Sequence, residues 1–493
     1  MKFYLPFLFF ALSTLHAESL DSLLSGYLEN DLQLQKFVLT AESKVLSLKS
    51  TKIQNGIDVT LSTGTVKIQS SSDGNRRITL TPNAKVEIAS ADVSLEANVP
   101  IKINDGEREI SDGSISATVG ILSNNRKKRR VSLLEAERAL LEAERNVKNR
   151  AISAEKEFFT SLKSLYKYAG DVLDANEDLF DDETALRVLI AQGYSKNSAS
   201  FRQANLKVER DKRNVQEKQR IFTRQAEIFA RKCGRTFNRG NVDEAQKSDE
   251  AFNLAVDFLP SEIPKATPED IFSYDKNLFS ESEQARWDSF IGELKRRTAG
   301  YDPTLSVTGG FNFSDSFYDS GDASSDSAGG KINFSYCGVG ASAGAYFPTN
   351  SRILGGDVFS DGKPYFLFSL TISPNDWRLT SIQKKQDVLS SRLEKIAEES
   401  ALDSYENEIT SKITEFNDIQ WAERSYAHEL ETYSILEKDM ARWLREGSVK
   451  ESDWRSAKNN RDKARLNVLM NALDLLIFND SVRLMFREKE SKK

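Results

Sequence analysis

The sequence predicts an α+β fold made of one unit repeated: a long helix, a patch of alternating strands, then a longer helical hairpin. Three observations predict it. A glycine-marked tip occurs twice, at Ala191-Gln192-Gly193-Tyr194 and at Arg445-Glu446-Gly447-Ser448. In two places the hydrophobic period changes from about 3.6 to 2. From Asn375 to Glu446 there is neither Gly nor Pro, enough for a helix of roughly 100 Å. A duplication of this kind is an architecture rather than a pair of domains. Neither half holds its strands and its long helices in one compact core, which points to an elongated object built by several copies.

The elements follow in chain order. Lys2, the apolar run Phe3 to Leu12 and the small residue closing Leu15-His16-Ala17 predict a secretory signal peptide over residues 1–17, with the mature chain starting at Glu18. Residues 18–56 are expected to form the first long helix. A first strand patch over 57–103 rests on the alternation of Ile57, Val59 and Leu61, of Val66 and Ile68, of Ala84, Val86 and Ile88, and of Val93, Leu95 and Ala97. A helical hairpin is expected over 114–235. Its outgoing helix carries a seven-residue echo, Leu134 to Leu140 followed by Leu141 to Val147, and an apolar seam through Ala154, Phe158, Leu162 and Leu165. A connector over 236–270 leads to a second long helix at 271–300. The second strand patch, 303–373, alternates at Leu305, Val307, Phe311 and Phe313, then at Ile332, Phe334 and Tyr336, and last at Phe366, Phe368, Leu370 and Ile372. The second hairpin, 375–487, carries the seam Leu389, Leu393, Ile396, Tyr405, Ile409 and Phe416.

Composition narrows the function. Charged residues make up 29%, and mean hydropathy is −0.49, as suits long solvated helices. The net charge of −6 is spread among interleaved Lys, Arg, Asp and Glu, so no nucleic-acid footprint is expected. Beyond the signal no run reaches the ~18 apolar residues of a membrane-crossing helix, so a membrane location would require a β-barrel. Cys233 and Cys337 make no disulfide framework. After signal removal only His428 remains, leaving no material for a histidine triad or a His-rich metal site. No catalytic, cofactor or metal site is expected, and no enzyme.

The strand-to-helix junctions Val99-Pro100-Ile101 and Ile372-Ser373-Pro374, the strand entry Asp302-Pro303-Thr304-Leu305 and the tips at Gly193 and Gly447 stand in an order that resembles the TolC-like outer-membrane efflux protein family. The resemblance covers nearly the whole mature chain. Near Pro374 it departs from the family, with Trp377-Arg378 where a glycine pair is often found. It implies four strands per protomer, with two of the alternating pieces in each patch belonging to one bulged strand near Gly64 and Gly338. It further implies a homotrimer enclosing a twelve-stranded outer-membrane barrel, continued by a coiled-coil helical barrel through the periplasm. A periplasmic adaptor and an inner-membrane transporter would be its partners, in tripartite efflux or type I secretion. At the second tip Ser448-Val449-Lys450-Glu451 has the form of a capping box. Asp453 matches the first of two aspartates lining the periplasmic entrance in family members, the second falling on Ser456. Two rivals stay open, a periplasmic adaptor and a structural coiled-coil envelope protein. An adaptor has one hairpin between split β-domains, and a plain coiled coil does not explain the strands.

Overall fold

The computed structural model describes residues 19–70, 76–104, 107–110, 113–236, 255–298, 303–313, 327–348 and 364–487. The expected signal peptide, most of the 236–270 connector, the polar turn at 71–75 and the loop at 314–326 lie outside the described residues. The chain divides into two compact units. One comprises residues 39–144 and 281–403, the other residues 1–38, 145–280 and 404–493.

In the first unit α2 (Leu32–Gln54) leads into strands drawn from both repeats, twelve among the described residues. The first repeat supplies β1 (Ile57–Ser62), β2 (Val66–Ser70), β3 (Arg76–Leu80), β4 (Asn83–Ile88), β5 (Val93–Asn98), β6 (Ile101–Asn104), β7 (Glu107–Ile110) and β8 (Gly113–Leu122). The second supplies β9 (Thr304–Phe313), β10 (Ser327–Tyr336), β11 (Val339–Pro348) and β12 (Tyr365–Ile372). Eight of them form one antiparallel sheet in the order β1-β4-β5-β8-β9-β10-β11-β12, and β2-β3-β6-β7 form a second. The shared order of first-repeat strands in the two sheets has a simple origin: β1 continues as β2, β3 as β4, β5 as β6 and β7 as β8 after a short break. At the breaks stand Gly64 with φ +63°, Pro82, whose carbonyl accepts from Val99 N at 3.2 Å, and Pro100. Proline has no N–H for the ladder, so the sheet divides there.

Several differences from the expected layout follow. The first long helix, expected over 18–56, is broken at Asn30 into Leu20–Glu29 and Leu32–Gln54, and the second, expected over 271–300, runs only from Ser280 to Arg297 after two short 3-10 turns. The large sheet takes eight strands from the chain, not four. The first patch runs to Leu122 rather than to residue 103, so the first hairpin's long helix, α3 (Asn124–Ala191), begins at Asn124 and not at residue 114. Ser114-Ile115-Ser116-Ala117-Thr118-Val119 has the right period, but its serines and alanine give it little hydrophobic contrast. Pro100 joins strand to strand, the strand-to-helix passage of the first repeat being Leu122-Ser123-Asn124. Gly338, at φ +77°, and Cys337, at φ +47°, form the two-residue turn of the β10–β11 hairpin, which demands positive φ at both central positions, so no bulge sits there. The irregularity falls instead between Gly120 and Leu122 of β8.

Below the sheet four helices lie side by side in the same order as the strands they adjoin. Lys52 of α2 faces Glu137 of α3 at 3.9 Å. Arg138 of α3, a buried cation, grips both carboxylate oxygens of Glu283 on α5 (Ser280–Arg297), lies 5.0 Å from the centre of the Trp287 ring and is flanked by the Lys295–Glu135 pair at 2.5 Å. Arg296 of α5 then binds Glu394 of α6 (Pro374–Arg445) through two bonds of 2.7 and 2.8 Å. Bidentate Arg–carboxylate contacts fix direction as well as distance, so these pairs set the neighbour relations α3-α5-α6, with α2 beside α3 through the exposed Lys52–Glu137 pair.

The second unit holds the expected seam of the first hairpin and the Tyr405, Ile409 and Phe416 part of the second; Leu389, Leu393 and Ile396, expected in the same seam, are exposed instead. α1 (Leu20–Glu29), α3, α4 (Ala199–Lys232) and α7 (Glu451–Met485) enclose a core in which Phe158, Leu162, Val172, Phe222, Ala226 and Leu473 are fully buried. Phe158 meets Tyr27 at 5.5 Å edge-on and Phe229 at 5.2 Å. Asp31 receives Arg150 at 2.7 Å, and the hydroxyl of buried Tyr166 donates to the Pro260 carbonyl at 2.6 Å. A second cluster joins Phe279, Phe478, Val482 and Phe486 to Tyr405, Ile409 and Phe416 of α6.

Candidate channel wall and helical tips

Residues directly opposite in an antiparallel ladder share a face, and faces alternate along each strand. One row of partners runs across the whole large sheet as Val59, Val86, Leu95, Ala117, Gly309, Gly330, Ala345 and Phe366. Two residues along, on the same face, comes Ile57, Ile88, Val93, Val119, Val307, Ile332, Ala343 and Phe368. Neither row contains a polar side chain. The intervening row, on the other face, reads Asp58, Glu87, Ser94, Thr118, Thr308, Lys331, Gly344 and Leu367, polar apart from Gly344 and Leu367. The apolar face is exposed in the single chain, with Ile57, Val59, Leu61, Ile332, Phe366 and Leu370 open and Phe368 80% exposed. The polar face carries its own links, Thr118 Oγ1 to Thr308 Oγ1 at 3.0 Å across the boundary between repeats and Asn83 Nδ2 to Glu96 Oε1 at 2.8 Å. Such a sheet can separate hydrocarbon from water.

The two hairpin tips close by one device. Gly193 N donates to the Ile190 carbonyl and Tyr194 N to that of Leu189; Gly447 N donates to Leu444 and Ser448 N to Trp443. These are paired Schellman closures, and their glycines take φ +77° and +72°, a region that L side chains avoid. Nothing lies within 4 Å of where a Cβ would stand on either, so backbone conformation alone selects glycine there.

The remaining predicted residues separate. Pro303 immediately precedes β9, and Pro374 is the first residue of α6. At the second tip the helix starts two residues later than a Ser448 cap would set it: Lys450 is the N-cap, its N–H donates to Asp453 Oδ2 at 3.2 Å, and Asp453 holds the third helical position. Glu451 does not cap but accepts from Arg455 Nε at 2.9 Å. Asp453 and Glu451 are exposed.

Sequence reasoning missed a cluster one turn further on. Ser456 Oγ donates to Glu177 Oε1 at 2.8 Å, Asn459 donates to the other carboxylate oxygen, and Lys463 lies 3.3 Å from it while also pairing with Asp174. Arg455 covers the Phe180 ring at 4.1 Å. Burial pushes the Glu177 carboxyl up, but the bonds from Ser456 and Asn459 and the Lys463 charge outweigh it and hold the group below the usual carboxylate range. The first hairpin is thereby fastened to the second. Asn176-Glu177-Asp178 looks in sequence like any solvated acidic face, and nothing in it marks Glu177.

Among the described residues no helix is long and apolar enough to cross a membrane, and no group of three or more His, Cys, Asp or Glu side chains is placed to hold a metal ion.

The TP096X N-terminal domain matches residues 23–263 and the TP096X C-terminal domain residues 264–489. No curated protein matches the chain. Among solved structures it is similar to the outer membrane protein VceC of Vibrio cholerae, with 12% identity over 94% of this chain and 96% of that one at a TM-score of 0.47. It is similar also to the CmeC outer membrane channel of Campylobacter jejuni, with 11% identity over 96% and 87% at 0.47. The MtrE outer membrane channel of Neisseria gonorrhoeae gives 14% over 96% and 93% at 0.41.

Proposed function

The chain belongs to the TP096X family, whose two domains follow one another along residues 23–489, and we propose that it is an outer-membrane exit duct. The observation that carries this reading is the apolar face that runs across eight strands, backed by a face that is polar apart from a few residues such as Gly344 and Leu367. An exposed apolar surface of that extent needs a cover, and its period and strand number suit lipid. The polar face then lines water. Passage through such a wall needs no bond chemistry.

Several copies share the barrel, a homotrimer being the assembly that the resemblance to TolC-like channels implies. The helical hairpins continue the duct through the periplasm toward an adaptor protein and an inner-membrane transporter of an efflux or type I secretion system. Adaptor tips dock in the shallow grooves between hairpins near Gly193 and Gly447. Asp453, exposed at the start of α7, together with Lys450 and Glu451, marks the entrance, where symmetry-related carboxylates would favour cations.

Membrane fractionation combined with a heat-modifiability gel tests the proposal. The expected result is an outer-membrane species that resists alkaline extraction, requires detergent and shifts from oligomer to monomer mass on boiling. Release by salt or alkali without detergent would overturn it in favour of a peripheral coiled-coil envelope protein.

A further inference from the structure

The two sheets share one register through the central hairpin of the first repeat. β4 pairs Asn83 with Asn98 and β3 pairs Leu80 with Ile101, and between them Val99 N donates to the Pro82 carbonyl at 3.2 Å. No residue is gained or lost across the break, so every side chain keeps its face. Ile78 and Leu80 thus stand on the apolar face with Ala84, Val86 and Ile88, and Ile101 and Ile103 stand there with Val93, Leu95 and Ala97. Val66 and Ile68, opposite Leu80 and Ile78, carry the face to β2 and are 51% and 69% exposed. Lys67, Thr79 and Lys102 make the intervening row on the polar side. The apolar stretches of the two repeats are nevertheless offset. In the first repeat the stretch begins at the row of Ile88 and Val93 and reaches Ile78 and Ile103. In the second it begins two apolar rows nearer the helices, at Tyr336, Val339 and Ile372, and ends at Ala328 and Phe347; the next alternate residues in sequence are Asp326 and Thr349.

We propose that the strands lean by about 40° from the membrane normal and that the small sheet β2-β3-β6-β7 lies within the bilayer, its apolar face covered by hydrocarbon chains of the outer leaflet. This rests on the outer-membrane reading above and specifies which part of the wall meets lipid. The magnitude comes from the register. Residues 78–88 have their midpoint at residue 83 and residues 328–336 at Ile332, which shares a ladder row with Ile88. The offset is five residues, about 17 Å along the strands, and it accumulates over the four strand spacings from β4 to β10, about 19 Å. A band with that slope is level when the strands lean by about 40°, the inclination found in barrels. The direction agrees as well. In a view of the apolar face with the helices below, β4 descends, and the outward-facing position Pro82 bonds toward β5; the chirality of L residues then places β5 to the left of β4. Right-handed strand twist makes barrel strands rise to the right in this view. Ladder rows therefore climb toward β12, and a level band must step down them, as this one does. Upright strands would instead leave Ile68, Ile78 and Ile103 in water above a membrane that covers the second repeat.

The test uses the full-length protein with single added cysteines, each carrying an environment-sensitive fluorophore, reconstituted in phosphatidylcholine vesicles. Quenching by lipids with a shallow or a deep nitroxide reports depth, and quenching by iodide reports water. The native thiols Cys233 and Cys337 are buried and stay in place, the unsubstituted chain serving as blank. Ile68→Cys and Phe347→Cys lie three apolar rows apart, about 20 Å along the strands. They should nevertheless report one shallow depth to within about 5 Å. Ile57→Cys and Ile332→Cys share a ladder row, yet the second should sit about 15 Å deeper. Thr79→Cys, on the polar face, should be quenched by iodide about fivefold more strongly than Ile68→Cys, and Ile78→Cys should repeat the Ile68 result on the adjoining strand. Iodide quenching without nitroxide quenching at Ile68 and Ile78, with Phe347 and Ile332 still sensing lipid, would place the small sheet outside the bilayer and overturn the proposal while keeping the duct. Equal depths at Ile57 and Ile332 would also overturn it. Nitroxide quenching at none of these positions would reject the outer-membrane reading and the proposal together.

Discussion

Asp480 of α7 is 2% exposed, its Oδ1 stands 3.7 Å from Arg483, and its Oδ2 has no hydrogen-bond partner among the described residues. Burial, reinforced by the Glu155 charge, raises its pKa to about 7, against the opposing pull of Arg483 and Lys156. The folded chain therefore holds a proton that the unfolded chain loses near pH ~4. Stability from this group is full below that pH, falls as pH rises and is gone above about 7. Thermal melting at pH 5.5 and pH 8 should show the wild type losing stability across the interval and Asp480→Asn losing clearly less. Asp453 calls for a different substitution, because its carboxylate both carries charge and accepts from the Lys450 N–H. Asp453→Asn keeps an acceptor oxygen and removes the charge, so cation preference in planar-bilayer conductance should fall while the helix start persists. The difference should shrink at 1 M salt, where screening shortens to ~3 Å. Unchanged selectivity in that variant would assign Asp453 to the helix start alone.

At the level of elements, face decides outcome. Phe368→Arg places a cation on the apolar face of β12 and should cost about 2–4 kcal/mol at mid-membrane depth, whereas Ser369→Arg, its neighbour on the polar face, should assemble normally; urea unfolding of the reconstituted protein compares them. In the helices, Phe158 is fully buried among Tyr27, Phe159 and Phe229. Phe158→Ala should destabilise the folded chain by about 3–5 kcal/mol, read by urea unfolding of the full-length protein. Which elements were legible follows from the same physics. Phe158, Leu162 and the Tyr405-Ile409-Phe416 run are large apolar residues at helical spacing, and they pack as that spacing requires. β11 is nearly invisible because Gly340 to Ala345 contains only Gly, Ala and Ser, whose faces differ little in hydropathy although their backbone pairs on both sides. Pro100 misled because a proline beside a strand fits a helix start and a break between strands equally well. Glu177 could not be found at all, since its partners Ser456, Asn459 and Lys463 come from the other repeat and only the fold brings them near.

For the whole molecule the two repeats are unequal partners in one sheet. Deleting Thr304 to Ile372 removes β9 through β12, half of the large sheet, together with the β12 edge, and should abolish any detergent-stable oligomer on a heat-modifiability gel; its recovery would mean that the first repeat closes a barrel unaided. The seam between repeats also sets a clock. Every other contact in the large sheet joins strands close in sequence, but β8 finds β9 across about 190 residues, as Thr118 and Thr308 show. Loop closure over that span is slow to reward, so the four first-repeat strands and the four second-repeat strands are two separately formed pieces until late in folding. During that interval β8 and β9 are unprotected edges open to strand exchange with any other chain. Nascent protein thus passes through a vulnerable period whose length is governed by the long helices synthesised between the two halves.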